Sequence, residues 1–153
     1  MDKDERWMRQ ALELAEAAGA LGEVPVGAIV VRGDEIIAKA YNLRETDHMA
    51  TAHAELLAIE QACRAVGSWR LHDCTLYVTL EPCPMCAGAI VNSRMGRVVF
   101  GAKDAKAGAM GSVLQMNSYP LNHKTKLEGE VLAKECADVL RAFFATKRQN
   151  KKD

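Results

Sequence analysis

Two short segments carry the residue types that do chemistry: Thr51-Ala52-His53-Ala54-Glu55 and Glu81-Pro82-Cys83-Pro84-Met85-Cys86. Cys83 and Cys86 stand three apart where Pro82 and Pro84 mark a helix start, so their sulfurs share one face of its first turn. A helix N-terminus stabilises thiolate, the form that binds metal. Alone, such a pair reads as a metal half-site, a redox couple or two buried thiols. His53 shifts the balance, because it opens the preceding helix after a loop, where a strand–helix–strand arrangement brings two helix N-termini together. One imidazole and two thiolates make a good zinc set. A closed structural zinc takes four protein ligands, and the chain has no second Cys-x-x-Cys and no His-x-x-x-His, so the site keeps a position open for water.

Glu55 then reads as the base of that site. Two thiolates cancel the charge of the dication, so its water is acidified less than in an all-histidine site, where the pKa falls to about 7. Glu55 lies two residues beyond His53, near enough to take the proton of that water without ligating. The same carboxylate can carry the proton to a ring nitrogen and later to a leaving amine. Each residue also has an ordinary reading: His53 as a satisfied core histidine, Glu55 as a first-turn carboxylate favoured by the helix dipole. Only their combination with the cysteine pair overturns these.

The elements that position these residues follow from periodicity. Trp7, Ala11, Leu14, Ala15 and Ala18 repeat at helical spacing, with Asp4 as a cap and Gly19 and Gly22 ending the element. Val26–Val31 is a buried strand, Gly33-Asp34 a tight turn, and Ile36–Tyr41 the returning strand. Ala52, Leu56, Ile59, Cys63 and Val66 mark a second helix stopped by Gly67. Thr75–Leu80 and Arg97–Gly101 are strands either side of the helix that starts at Pro82–Pro84, and a fifth strand falls around Leu127. Gly101–Gly111 is a glycine-rich loop, and Leu132, Cys136, Val139, Leu140 and Phe143 form a terminal amphipathic helix. Helices that follow strands favour an α/β sheet with parallel pairs, covered on both faces.

The 153 residues suit one domain, 1–153, with a basic tail over 146–153. At 49% hydrophobic and 26% charged the chain is globular rather than disordered. Lys and Arg total 20 and Asp and Glu total 20, which disfavours a non-specific nucleic-acid binder but not a specific enzyme with local basic patches. No apolar run approaches the ~20 residues of a membrane span, and the charged start lacks a signal-peptide core, so the expected location is the cytoplasm. Cys63, Cys74 and Cys136 read as small core residues, and His48 and His72 as solvated. In the tail, Lys147, Arg148, Lys151 and Lys152 outnumber Asp153, as either a solvated helix end or a phosphate-attracting one.

The pattern matches the H-x-E…P-C-x-x-C signature of zinc nucleobase deaminases. The flanking strings narrow it: Gly22-Glu23-Val24-Pro25-Val26-Gly27-Ala28, Leu76-Tyr77-Val78-Thr79-Leu80-Glu81-Pro82-Cys83, Met85-Cys86-Ala87-Gly88-Ala89 and Val98-Val99-Phe100-Gly101-Ala102 resemble the bacterial tRNA-specific adenosine deaminases. The resemblance runs from about Trp7 to Arg148. It implies a cytidine-deaminase-like, three-layer α/β/α fold with a five-stranded mixed sheet, in a homodimer. It implies one zinc per chain, and hydrolysis of adenosine to inosine at the wobble position of a tRNA anticodon stem-loop, chiefly in an arginine tRNA. His53, Cys83 and Cys86 match the zinc ligands and Glu55 the proton shuttle. Asn42 matches an asparagine that bonds the flipped nucleoside, Val26 and Leu80 match pocket walls, and Asp104 a loop aspartate near the ribose. Asn122, His123 and Phe144 match substrate-side positions. A family arginine after Asn-His is Lys124 here, which keeps phosphate attraction but not a bidentate contact.

Two rivals to this reading remain. A deaminase of free bases, nucleosides or nucleotides would use the same zinc set. A non-catalytic, zinc-stabilised RNA-binding module would need neither Glu55 nor an open position. The long loop Asp104–Ser112 and the basic terminal helix favour a macromolecular substrate.

Overall fold

The computed structural model describes residues 2–152. Helix α1 (Lys3–Ala20) starts where the Asp2 carboxylate accepts the Asp4 amide proton at 2.9 Å. The cap is therefore Asp2, not Asp4. Asp4 instead turns its carboxylate onto the Arg97 guanidinium through two hydrogen bonds of 2.8 and 2.6 Å, and accepts the Tyr77 hydroxyl at 2.7 Å. A fork-to-carboxylate pair in a half-buried place outweighs an exposed cap. The buried face of α1 is Met8, Ala11, Leu12, Ala15 and Ala18, while Trp7 and Leu14 are half-buried at its edges.

Strands β1 (Gly27–Arg32) and β2 (Glu35–Tyr41) form the expected hairpin about Gly33-Asp34. Helix α2 (Ala54–Val66) ends at Gly67, whose φ of 76° is one that glycine adopts without steric cost. Strand β3 (Cys74–Leu80) pairs antiparallel with β1 and, across helix α3 (Pro84–Asn92), parallel with β4 (Arg97–Ala102). Strand β5 (Lys126–Glu128) joins β4 in parallel, and helix α4 (Ala133–Lys152) closes the order. The sheet order is β2-β1-β3-β4-β5, a five-stranded mixed sheet.

Alternation along the central strands builds two cores. Ala28, Val30, Leu76, Val78, Val98 and Phe100 face the layer of α2 and α3. Ile29, Val31, Tyr77 and Val99 face α1 and α4, where Met8, Leu12 and Cys136 fill the gap. Strands buried on both faces read as continuous apolar runs, which is why β1 and β4 show no polar alternation. Cys74 and Cys136 lie in these cores as expected and Cys63 is half-buried. His48 and His72 are exposed.

The register aligns Gly27 with Tyr41, Ala28 with Val78 and Leu80 with Ala102. The start of β1 and the ends of β2, β3 and β4 thus meet at one edge of the sheet. Val26, Asn42, Leu80 and Asp104 emerge there together, beside the N-termini of α2 and α3. The ends of strands are where open α/β sheets place their ligands.

The Asp4–Arg97–Tyr77 cluster ties α1 to β3 and β4. Asp4→Ala is expected to cost about 2 kcal/mol, because it strands a partly buried guanidinium and a phenol. The Arg97 hydrogen bonds hold the Asp4 carboxyl below its ordinary pKa of 3.8. Its contribution is therefore full above that value and is lost as the pH falls through the lower folded-state pKa. Thermal unfolding of the wild type and Asp4→Ala should differ at neutral pH and converge in strong acid; a gap independent of pH would contradict the ion pair.

Candidate active site

His53 is the N-cap residue of α2 and Cys83 that of α3, yet neither side chain caps its own helix. Both are turned toward each other instead. Cys83 Sγ lies 3.7 Å and Cys86 Sγ 3.5 Å from His53 Nδ1. Among the described residues these three form the one group whose donor atoms all lie within 4.8 Å of one another. Pro84 in the first turn of α3 fixes the chain so that Cys83 and Cys86 project the same way.

The electrostatics of the unaided pair are those of two thiols sharing one proton. Cys83 is pulled down to about 4, first by the Cys86 thiol and then by His53. Cys86 is pushed far up, by its bond to Cys83 and by burial. His53 is raised by its hydrogen bond with Cys83. Beside them Glu55 is buried at 4% exposure, and burial lifts its carboxyl to about 7.

These groups stand in the wall of a cavity of about 270 Å³ at the strand ends. Val26 and Leu80 form apolar walls, and Asn42, Asp104, His53, Glu55 and Cys83 line it as well, while Cys86 lies fully buried behind. Asn42 Nδ2 donates to the Val24 carbonyl at 3.1 Å and its Oδ1 accepts the Arg44 amide at 3.1 Å. The amide is thereby fixed with one hydrogen and one lone pair still free. Asp104 Oδ1 accepts the amides of Lys106 and Ala107 at 3.0 and 3.1 Å, which leaves Oδ2 uncommitted.

The structure does not bring Asn122, His123 or Phe144 to this cavity. Asn122 is exposed in a separate surface hollow with Arg94 and Pro120. His123 Nε2 bonds the Met95 carbonyl at 2.7 Å. Phe144 is 43% exposed on α4 and packs edge-on against Phe143. Of the basic tail, Lys147 and Arg148 are exposed on α4; Asp153 and the side chains of Lys151 and Lys152 lie outside the described residues.

Arg44, Glu23 and Glu81 are among the lining residues that were not singled out in the sequence. Arg44 stands exposed on the rim, the nearest cation after Asn42. Glu23 and Glu81 are buried carboxylates at 1% and 2% exposure. Glu23 accepts the amides of Glu45 and Thr46 at 3.0 and 2.6 Å. In both glutamates burial pushes the pKa up, and hydrogen bonds, from Thr46 and Glu45 or from Ser112, Asp104 and Met110, more than reverse it.

The family description MafB19-like deaminase matches residues 1–148. A relative from Bacillus subtilis (strain 168), named tRNA-specific adenosine deaminase, is 50% identical over 153 residues, covering 99% of this chain and 95% of its own. The chain belongs to the tRNA-specific adenosine deaminase family. A Haemophilus influenzae member of that name is 48% identical, covering 97% of this chain and 87% of its own. A solved structure from work on A-to-I editing by tRNA:A34 deaminases at the wobble position superposes with a TM-score of 0.86 at 40% identity, covering 88% of this chain and 99% of its own. Members of the family are hydrolytic enzymes, and the mixed five-stranded α/β sheet of this chain is their cytidine-deaminase-like fold. Among the described residues no helix is long and apolar enough to cross a membrane.

Proposed function

We propose that the chain, as a single domain, deaminates adenosine to inosine at the wobble position of tRNA, chiefly an arginine tRNA, as a cytoplasmic homodimer with one zinc per subunit. The observation that carries the reading is His53, Cys83 and Glu55 in the wall of one apolar-sided cavity, with Cys86 completing the donor group just behind it. The cavity is below the ~300–1,000 Å³ of pockets for drug-sized ligands, which suits one extruded base.

The donor set fits zinc. Bond lengths of a tetrahedral zinc separate its nitrogen and sulfur ligands by about 3.6 Å, and the observed separations are 3.5 and 3.7 Å. Thiolate is the ligating form of cysteine, and a bound dication favours it at both sulfurs. Held by His53, Cys83 and Cys86, zinc would supply a Lewis acid with one open position that acidifies a water.

The chain's own groups then share the remaining tasks. Glu55, buried and outside the ligand set, takes the proton of the attacking water and delivers it to a ring nitrogen of adenine. Oxygen bonds to C6; Glu55 then takes the remaining proton from the new C6 hydroxyl and passes it to the amino group, and the C6–N bond breaks as the carbonyl forms, so that water and adenosine become inosine and ammonia. Val26 and Leu80 hold the base between them and exclude water. The free hydrogen-bonding capacity of Asn42 orients the nucleoside. Asp104 Oδ2 accepts the 2′-hydroxyl of the ribose, which DNA lacks. Asn122, His123, Lys124, Phe144 and the exposed cations of α4 serve the surrounding RNA rather than the base. An anticodon loop already splays its bases, so extrusion costs less than from a duplex.

Total bacterial tRNA incubated with the protein should read G in place of A at wobble positions after reverse transcription, with arginine tRNA changed first. Unchanged wobble positions alongside edited adenosines elsewhere would refute the wobble assignment.

A further inference from the structure

Glu81 sits between two parts of the cavity that the fold could otherwise place independently. It directly follows β3, and its amide donates to the Ala102 carbonyl at the end of β4 at 2.8 Å. Two residues later comes Cys83. Its carboxylate points the other way, into the β4–β5 connection, which wraps around it. Oε1 accepts the Asp104 amide at 3.1 Å and the Ser112 hydroxyl. Oε2 accepts the amides of Met110 and Ser112, both at 3.0 Å. The loop closes this tightly because residue 108 is glycine: a Cβ there would lie 2.3 Å from the Glu81 carboxylate. The neighbouring Ala109 amide reaches the Pro82 carbonyl at 2.8 Å, so the connection is tied to the two successive residues that lead into Cys83.

We propose that Glu81 is a positioning residue, which locks the 104–112 loop onto the Cys83 turn and so fixes Asp104 at the cavity relative to the reacting atoms. A buried carboxylate facing three main-chain amides and a hydroxyl is satisfied only with the loop in this one arrangement. It sets the Asp104 backbone, and the Asp104 turn then aims Oδ2. The Glu81 carboxylate bonds the 104–112 loop and none of His53, Cys83 and Cys86. Its effect on catalysis runs through Asp104, so it governs the preference for ribose. The inference rests on the proposed tRNA reaction, but the loop lock itself does not.

Glu81→Gln tests it, because the amide keeps the volume but turns an N–H donor against amide donors. We expect one zinc per chain to be retained and kcat/KM on an RNA anticodon stem-loop to fall about 10–100-fold, the scale of an ångström-level misplacement. The preference for the RNA loop over its deoxy counterpart should fall with it. In an Asp104→Asn background, where the turn is kept and the free anionic oxygen is gone, the same change should cost less than about 3-fold. Equal losses in both backgrounds, loss of zinc, or an unchanged RNA-to-deoxy preference would overturn the proposal. If Glu81→Gln does not fold, Ser112→Ala removes a single donor and should show the same non-additivity on a smaller scale, with equal losses again refuting it. If the wild type leaves the RNA loop untouched, the proposed reaction fails. Amide exchange then decides the lock: Met110 should exchange at least about tenfold faster in the variant, and an unchanged rate would exclude it.

Discussion

Glu55→Gln should retain one zinc per chain and the wild-type unfolding temperature while losing about 10²–10⁴-fold or more in turnover, the range of general acid–base catalysis. The carboxylate is buried and stands outside the His53/Cys83/Cys86 group, so its neutral isostere removes the proton carrier without opening a cavity or a metal bond. Loss should appear in kcat rather than KM, because the proton moves only after the base is bound. One group serving both the attack and the departure of ammonia places the effect at the upper end. Zinc loss from this variant, or turnover near that of the wild type, would contradict the role.

Cys83→Ala combined with Cys86→Ala should abolish both zinc binding and measurable turnover. The two sulfurs approach His53 Nδ1 to 3.7 and 3.5 Å at the start of α3, and among the described residues no other such donor group exists. The site joins the N-termini of α2 and α3, so metal linkage should also stabilise the fold. In a chain of this size each 1 kcal/mol of linkage is worth about 2–4 °C. Chelation of the wild type should lower its unfolding temperature, and chelator should leave the double variant unmoved. Elemental analysis showing full zinc in the double variant would remove these ligands from the account.

Long-range packing explains where the sequence was legible and where it was not. Element order followed from periodicity, since α2, α3 and the central strands each carry one unbroken apolar pattern, and Gly67 and Pro84 mark ends through local backbone constraints. The His53/Cys83/Cys86 cluster was legible because all three sit at or just inside a helix N-terminus, where side-chain direction follows from spacing. Asp4 was misread as a cap because its partners, Tyr77 and Arg97, are 73 and 93 residues away. Glu23 and Glu81 escaped notice for the same reason: a carboxylate that gathers loop amides looks, in sequence, like any exposed one. Asn122, His123 and Phe144 drew attention by resemblance alone, and the fold leaves them outside the cavity.

The most direct measurement compares four substrates at equal concentration: an anticodon stem-loop with adenosine at the wobble position, its deoxy counterpart, free adenosine and free cytidine. Contacts remote from the reacting carbon should place the base, so fragments lose turnover as well as affinity. The predicted result is rapid inosine formation in the RNA loop, far less in the deoxy loop, and both nucleosides near background. Free adenosine or cytidine deaminated as efficiently as the RNA loop would contradict the account and assign the cavity to a free nucleoside.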